Sequence, residues 1–188
     1  MSILKVDTIL KRTGTGTITV GQSGDTIDLS NPTSVTLNDT MKLKPAFHVK
    51  MSADQSIANN TQTKLQFNSE FYDTDSAFDS STNYRFTAPS AGKYLFHIEI
   101  YFNGYDQKYW ALLFKKNGSE MSGSIMTGSK DNRGENIYHT IIDDAAVNDY
   151  YEVFVIQDQG GSQDVYQDQK YAASGATTRW YGHKLIGV

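Results

Sequence analysis

The stretch Phe67–Ile98 reads FNSEFYDTDSAFDSSTNYRFTAPSAGKYLFHI, and it decides the fold. At its end, side chains alternate between two faces over ten residues, 93–102. One face is aromatic or aliphatic throughout: Tyr94, Phe96, Ile98, Ile100 and Phe102. The other face is mostly polar: Lys93, Leu95, His97, Glu99 and Tyr101. A period of two is the pattern of a half-buried strand, and no helix produces it.

Bulky apolar residues precede this strand in a loop-like context. Phe67, Phe71, Phe78 and Phe86 are separated by Asn, Asp, Ser and Thr, so we interpret them as anchors within irregular chain. The turn residues of 89–92, Pro-Ser-Ala-Gly, then set the start of the strand. We predict a core of five aromatic residues: Phe67, Phe78, Phe86, Tyr94 and Phe96.

Length, composition and charge limit the number of domains and the classes of partner that we expect. The chain has 188 residues, no cysteine and a formal net charge of −4. This length suffices for one domain with a real core plus an appendage. Without cysteine there is no disulfide or thiolate site, which suits assembly in a reducing cytoplasm. The basic residues are dispersed, so we expect no nucleic-acid partner. No apolar run of about eighteen residues occurs, and we expect no membrane insertion.

From Pro45 onward, many short apolar runs alternate with turn signals, and no amphipathic helix is evident. We predict an all-β jelly-roll sandwich head over residues 45–188, because the aromatic ladder and a closing strand fit that class best. The predicted strands are Ala46–Met51, Thr63–Phe67, Tyr84–Thr87, Gly92–Phe102, Tyr109–Lys116, Ser124–Thr127, Ile137–Asp143, Tyr150–Gln157 and Thr177–Ile186.

The same stretch resembles the signature of complement-type globular heads, the C1q-like branch of the tumour-necrosis-factor-like jelly rolls. The matching positions are Phe67, Asp73, Phe78, Phe86, Gly92, Tyr94 and Phe96. The sequence departs from the signature by one extra residue between Phe78 and Phe86, and by Ile98 where an aromatic is usual. Further matches are Pro45–Phe47, the Lys116-Asn117-Gly118 hairpin, Asp149–Val153 and Trp180–Leu185. Such heads are trimers, so the resemblance implies three subunits.

Residues 1–44 are organised differently. Residues 13–43 contain three short apolar pairs separated by Gly-rich or turn segments: Ile18/Val20, Ile27/Leu29 and Val35/Leu37. Each pair buries two side chains, which is too little to hold a single chain in one conformation. Three copies wound about one axis bury all of them together. We therefore predict a β-rich trimerisation stem, and a flexible linker is the alternative.

The first residues, MSILKVDTILKR, are either a frayed terminus or an arm that docks on a larger particle. Together with the stem, this arm resembles the N-terminal stalks of short fibre proteins in tailed phages. That resemblance implies a virion protein assembled in the host cytoplasm, with other virion proteins bound through residues 1–44.

Motifs of catalysis do not occur in the sequence. There is no Gly-x-Ser-x-Gly elbow, no P-loop and no His-Glu-x-x-His. The histidines all fall within predicted strands, where we interpret them as structural or interface residues: His48, His97, His139 and His183. We therefore expect a protein that is not an enzyme.

Calcium is the one cofactor that the sequence raises. Asp73, Asp75 and Asp79 place three hard oxygen ligands within seven residues, and Ca²⁺ binds such oxygens in irregular loops. The segment lacks the Gly and the final Glu of a helix-loop-helix site, and Asp is also an ordinary turn residue. We favour solvated turns and commit to no metal.

Two long polar segments, Ser119–Asn136 and Asp158–Ala176, are predicted as loops. Loops of this size are usually functional or disordered. The second segment combines aromatic rings with amide and carboxylate groups at Tyr166, Gln167, Asp168 and Tyr171. Such side chains stack on sugars and fix hydroxyl directions, so we predict receptor or glycan binding there.

The leading hypothesis is a trimeric fibre or spike of a tailed phage whose heads bind the host surface. Capsid decoration or a head fibre is compatible with the same features. A bacterial surface or spore-coat structural protein with the same head is a second hypothesis, and a polysaccharide hydrolase is a third.

Overall fold

The computed structural model describes residues 42–103, 108–127, 134–168 and 178–186. These residues form thirteen β-strands and no helix. The strands are β1 (Ala46–Lys50), β2 (Gln55–Ile57), β3 (Thr63–Lys64), β4 (Ser69–Asp73), β5 (Phe78–Asp79), β6 (Arg85–Thr87), β7 (Gly92–Asn103), β8 (Tyr109–Lys116), β9 (Ser119–Thr127), β10 (Gly134–Ala145), β11 (Tyr150–Gln157), β12 (Gln163–Tyr166) and β13 (Arg179–Lys184). Nothing in the described ranges is a helix long and apolar enough to span a bilayer.

The strands pair into two antiparallel sheets. The seven-stranded sheet has the order β2-β12-β7-β13-β1-β4, and β10 pairs with the other edge of β7 along its whole length. The six-stranded sheet has the order β5-β6-β11-β8-β9, and β3 also pairs with β11. This arrangement confirms the predicted all-β sandwich, and the long strand β7 pairs with three strands, β10 on one edge and β12 and β13 on the other.

The core lies between the sheets and is largely aromatic. Phe96 of β7 packs its ring 4.5 Å from Tyr151 of β11, and Phe47 of β1 lies 4.9 Å from Phe86 and 5.3 Å from Trp180, measured between ring centroids. The five aromatics expected in the core are all buried: Phe67, Phe78, Phe86, Tyr94 and Phe96. Each buried ring of this kind removes a large apolar area from water and stabilises the head.

Gly182 permits the closest approach within this core. It lies opposite Phe96 in the ladder of β13 and β7. A Cβ added there would meet Phe96 Cδ1 at 2.6 Å and the Leu95 carbonyl oxygen at 2.8 Å. The position therefore requires glycine because the space is already filled by the neighbouring ring and backbone.

The hairpin of β8 and β9 turns at Asn117-Gly118. Both residues have positive φ, 51° and 80°, which is the conformation of a two-residue hairpin turn and explains the Asn-Gly sequence. Asn117 also ties the turn to β11, since its Oδ1 accepts a hydrogen bond from the Tyr150 N–H at 2.9 Å.

His139 of β10 bridges the edges of the two sheets. Its Nε2 is 2.6 Å from Ser122 Oγ and its Nδ1 is 2.7 Å from Ser124 Oγ, and both serines belong to β9. Burial lowers the pKa of this imidazole below its ordinary value of 6.5. The bridge links β9 and β10, which belong to different sheets, and so closes one side of the sandwich.

Three expectations about the chain path are corrected. Ser119–Asn136 is not a loop where the structure describes it, because β9 and β10 extend through both of its ends. Phe71 does not anchor irregular chain: it lies in strand β4, and its side chain is 55% exposed. The segment Asp158–Ala176 contains strand β12, which pairs with β2 and β7; residues 169–177 lie outside the described part.

Candidate interaction surface

The seven-stranded sheet presents an aromatic surface on the side away from the core. Ladder pairing aligns one residue from each of five neighbouring strands in what we call the central row. From β4 through β1, β13 and β7 to β10, the central row is Tyr72, His48, Tyr181, His97 and Thr140. These residues lie far apart in the sequence, from His48 to Tyr181, and the sheet brings them into one line.

The rings of the central row touch one another. Between ring centroids, His48 lies 6.0 Å from Tyr72 and 5.5 Å from Tyr181, both edge-on. Tyr181 lies 4.9 Å from His97, and the row ends where His97 Nδ1 and Thr140 Oγ1 are hydrogen-bonded at 2.7 Å. Cross-strand contacts of this kind stabilise a sheet by a few tenths of a kcal/mol to about 1 kcal/mol each.

Exposed apolar side chains flank the row. The register of β1 and β4 shifts at His48–Val49, and this shift brings the Phe71 ring to 4.4 Å from the His48 ring. Phe71, Tyr72, Tyr138 and Ile142 are 55%, 50%, 66% and 60% exposed. Contiguous apolar surface of this kind marks a contact site in a soluble protein.

A charged row borders the central row on one side. Lys50, Arg179 and Glu99 are aligned across β1, β13 and β7. Arg179 donates to the Glu99 carboxylate from both Nη2, at 3.1 Å, and Nε, at 3.2 Å. Lys50 Nζ lies 5.2 Å from the centre of the Phe71 ring. Arg179 and Glu99 therefore neutralise each other's charge at the border of the aromatic surface.

The two imidazoles of the central row are poor proton acceptors. Burial lowers the pKa of His48 below 6.5, and the positive charge of Arg179 lowers it further. Burial also lowers the pKa of His97; Glu99 opposes this effect and Arg179 adds to it. Both rings are therefore neutral at pH 7. The Nε2 atom of His48 is buried and has no hydrogen-bond partner among the described residues.

The outward side of the six-stranded sheet has a different character. Lys64 Nζ lies 2.7 Å from Glu152 Oε1, and Lys115 Nζ donates to Gln62 Oε1 at 2.8 Å. Lys115 also lies 4.2 Å above the Phe154 ring. This surface uses charged and amide groups to cover its aromatic ring, as expected for a side that faces water.

The predicted binding loop is only partly described. Tyr166 is 8% exposed: its ring lies 5.7 Å from that of Tyr101, and its carbonyl oxygen accepts a hydrogen bond from Thr178 Oγ1 at 2.5 Å. The Gln167 N–H donates to Asp54 Oδ1 at 2.9 Å, and Asp168 is exposed. Tyr171 lies outside the described residues. The structure thus places Tyr166 in the interior and Asp168 at the surface, and binding through this segment stays a prediction.

The three aspartates weighed for calcium have structural partners. Asp79 accepts hydrogen bonds from the N–H groups of Thr82, Ser81 and Asn83, and these bonds, Thr82 first, hold the pKa of its carboxyl well below the ordinary value. Asp73 accepts from the Phe78 N–H at 2.8 Å, and Asp75 lies 3.8 Å from Lys44 Nζ. Within the described ranges, no three His, Asp or Glu side chains are grouped so that they could hold a metal ion.

The stem residues Ile18, Val20, Ile27, Leu29, Val35 and Leu37 lie outside the described part of the chain, so the stem remains a prediction. Sequence reasoning also missed the central row as a unit. It identified His48 and His97 as structural or interface residues, but the alignment with Tyr72 and Tyr181 depends on pairing between distant strands.

Comparison with solved structures places the fold. The globular domain of a zebrafish complement 1qA protein is similar, with 16% identity and a TM-score of 0.54 over 77% of this chain and 98% of that chain. Eiger TNF from S. frugiperda (10% identity, TM-score 0.52) covers 76% of this chain and 93% of its own, and murine APRIL (12%, 0.54) covers 74% and 98%. The head is therefore a jelly roll of the C1q and tumour-necrosis-factor type. No protein-family model and no curated protein matches the sequence.

Proposed function

We propose that this chain is the subunit of a homotrimeric fibre or spike on a tailed-phage virion. Its jelly-roll head faces outward and binds a host-surface receptor or glycan, while residues 1–44 attach the trimer to other virion proteins. The proposal assigns the chain binding and assembly and no catalysis.

The observation that carries the trimer is the aromatic surface around the central row. An exposed, contiguous set of rings and aliphatic side chains is unfavourable in water and favourable once another copy covers it. Each copy carries the same surface, so a closed symmetric assembly covers all of them at once.

Two further arguments support three copies rather than another number. The head resembles trimeric C1q-like heads at the signature positions of strand β7 and its upstream anchors. Independently, the apolar pairs of residues 13–43 are too small to be buried by one chain and fit a three-stranded stem. The phage assignment itself is supported by the resemblance of the LKVDTI…GTGTITVG…GDTIDL run, within residues 4–29, to the stalks of short phage fibres.

Adhesion by such a spike is multivalent. Three weak sites on one rigid trimer bind a repetitive host surface far more tightly than any single site, because the second and third contacts form within one complex. Segment 158–176, with Gln167, Asp168 and Tyr171, is the receptor or glycan contact that we propose.

The oligomer test is the mass of the full chain in solution, measured by light scattering. We expect three times the 21.0 kDa of one chain. A folded full chain with the mass of one copy at micromolar concentration and pH 7.5 contradicts the trimer.

The virion role has its own test. Purified head lacking residues 1–44 is mixed with purified virions beside the full chain, and the bound fraction of each is measured after sedimentation. We expect only the full chain to bind. If the truncated head binds equally well, residues 1–44 do not dock the protein. Depolymerisation of a surface polysaccharide by the purified protein would instead favour the hydrolase.

A further inference from the structure

Two imidazoles lie at the centre of the surface that the proposed trimer buries. His48 and His97 flank the same Tyr181 ring, at centroid distances of 5.5 and 4.9 Å, and both point away from the core. Their rings make aromatic contacts on further sides, His48 with Phe71 at 4.4 Å and His97 with Tyr138 at 6.5 Å. A neutral imidazole suits such a surface, whereas an imidazolium there must be desolvated when another copy covers it.

The charged groups around the two rings give a proton little stabilisation. From β13, Arg179 faces both imidazoles and His183 lies in the next row; from β1, Lys50 lies over the Phe71 ring. From β7, Glu99 is the carboxylate beside His97, and both of its oxygens are engaged, by Arg179 and by Asn136 Nδ2 at 3.2 Å. The groups of β4 and β10 that contact the two imidazoles include the phenol rings of Tyr72 and Tyr138 and the hydroxyl of Thr140.

We propose that the trimer interface is acid-labile: protonation of His48 and His97 on each copy separates the heads while each head stays folded. The inference rests on the trimer proposed above and adds that low pH is the condition under which the heads separate. It concerns the contacts between heads and assigns no role to the stem.

The sign follows from proton linkage. Each imidazole has a lowered pKa on the single head, and covering the surface removes its remaining water, which lowers the pKa further. The separated heads therefore bind more protons than the trimer, so dissociation is favoured as pH falls below 6.5, through the lowered pKa of the imidazoles on the separated head. Two such groups on each of three copies make the dependence steep.

The experiment measures the mass of the head, residues 45–188, and of the full chain by light scattering at pH 7.5 and pH 5.0, with circular dichroism as the check on folding. We expect the head to change from three copies to one, with an unchanged spectrum. A head that remains trimeric at pH 5.0 overturns the inference and leaves the trimer intact. A head that is folded and single at both pH values overturns the inference, because the heads then make no stable contact of their own. If the full chain is single as well, the trimer itself is contradicted.

Variants assign the effect to the two residues. The double variant His48→Gln/His97→Asn keeps hydrogen-bonding side chains that do not titrate, and we expect it to stay trimeric at pH 5.0. The matched control is His139→Gln, which removes a histidine between the sheets and away from this surface; it should dissociate like the wild type. If the control and the double variant behave alike, the central row is not the sensor.

A further measurement covers the case in which the double variant does not assemble. Each single variant, His48→Gln or His97→Asn, removes half of the titrating imidazoles. The slope of the logarithm of the dissociation constant against pH should therefore fall by about half in each. An unchanged slope in both single variants overturns the inference.

Discussion

The outward sides of the two sheets differ although one sandwich builds both. On the six-stranded sheet, Lys64 pairs with Glu152 and Lys115 covers the Phe154 ring. On the seven-stranded sheet, the central row joins imidazole and phenol rings, with exposed Phe71 and Tyr138 beside them. The first side covers the Phe154 ring with groups of the same chain and leaves Ile125 exposed. The second side leaves apolar surface uncovered, and we infer that other copies cover it.

The largest expected effect is the difference in stability loss between an inward-facing and an outward-facing substitution on strand β7. Phe96→Ala removes a fully buried ring that contacts Tyr151 at 4.5 Å and Phe86 at 5.4 Å, and should lower the free energy of unfolding by about 3–5 kcal/mol. The next residue, His97, points outward, so His97→Ala should lower the free energy of unfolding of the isolated head much less. Urea unfolding of both head variants measures the difference, and equal losses would mean that β7 has no inner and outer side.

The next effect concerns the close packing beneath the central row. Gly182→Ala forces a methyl group against Phe96 and the Leu95 carbonyl, and should cost about 1–3 kcal/mol through displacement of β13. Gly161→Ala is the control, because an added Cβ there meets no atom within 4 Å, and it should stay within about 0.5 kcal/mol of wild type. Thermal unfolding of the two variants compares them; similar midpoints would contradict the packing.

A smaller effect tests the water-facing sheet. Glu152→Gln breaks the ion pair with Lys64 and should lower stability by about 1 kcal/mol, since the Glu152 side chain is 10% exposed and the Lys64 side chain 32%. Because this pair lies away from the proposed interface, the oligomeric mass should not change. The control is Glu120→Gln, at an exposed site. Dissociation of the Glu152 variant into folded single heads would mean that the interface lies on the six-stranded sheet, which contradicts the proposal.

The smallest effect comes from the bridge between the sheets. The lowered pKa of His139 means that the unfolded chain takes up a proton before the folded head does. Its contribution to stability is therefore full above pH 6.5 and is lost as pH falls through the folded-state pKa. His139→Gln should flatten the stability–pH curve below pH 6.5 and leave its slope above pH 7.5 unchanged. The measurement is urea unfolding against pH, in heads that carry Tyr138→Asp to prevent assembly. If the stability–pH curves with and without His139→Gln are identical, His139 does not contribute to the pH dependence.

The sequence predicts the inner side of the head better than the outer side. Strand β7 and the aromatic core follow from a period of two, because one face must be buried whatever the partner strands are. Strand β4 escapes this reasoning, since Phe71 and Tyr72 are adjacent in sequence and both exposed after the register shift with β1. The short strands β2, β3 and β5 carry too few residues to show any period.

The candidate surface depends on information that no local pattern contains. Tyr72, His48, Tyr181 and His97 form a row only because β4, β1, β13 and β7 pair in that order, and long-range pairing sets that order. The turn at Asn117-Gly118 is the opposite case, because its two residues determine the local conformation themselves. The stem of residues 13–43 remains a prediction from spacing and apolar pairs.

The most direct test changes one exposed apolar residue on each sheet and measures mass by light scattering. Tyr138→Asp puts a charge beside the central row at a 66% exposed position, and Ile125→Asp puts one on the six-stranded sheet at a 73% exposed position. Both substitutions should leave the isolated head folded. We expect the Tyr138→Asp head to have the mass of one copy and the Ile125→Asp head to have the mass of three. Three copies in the first and one in the second would contradict the assignment of the interface.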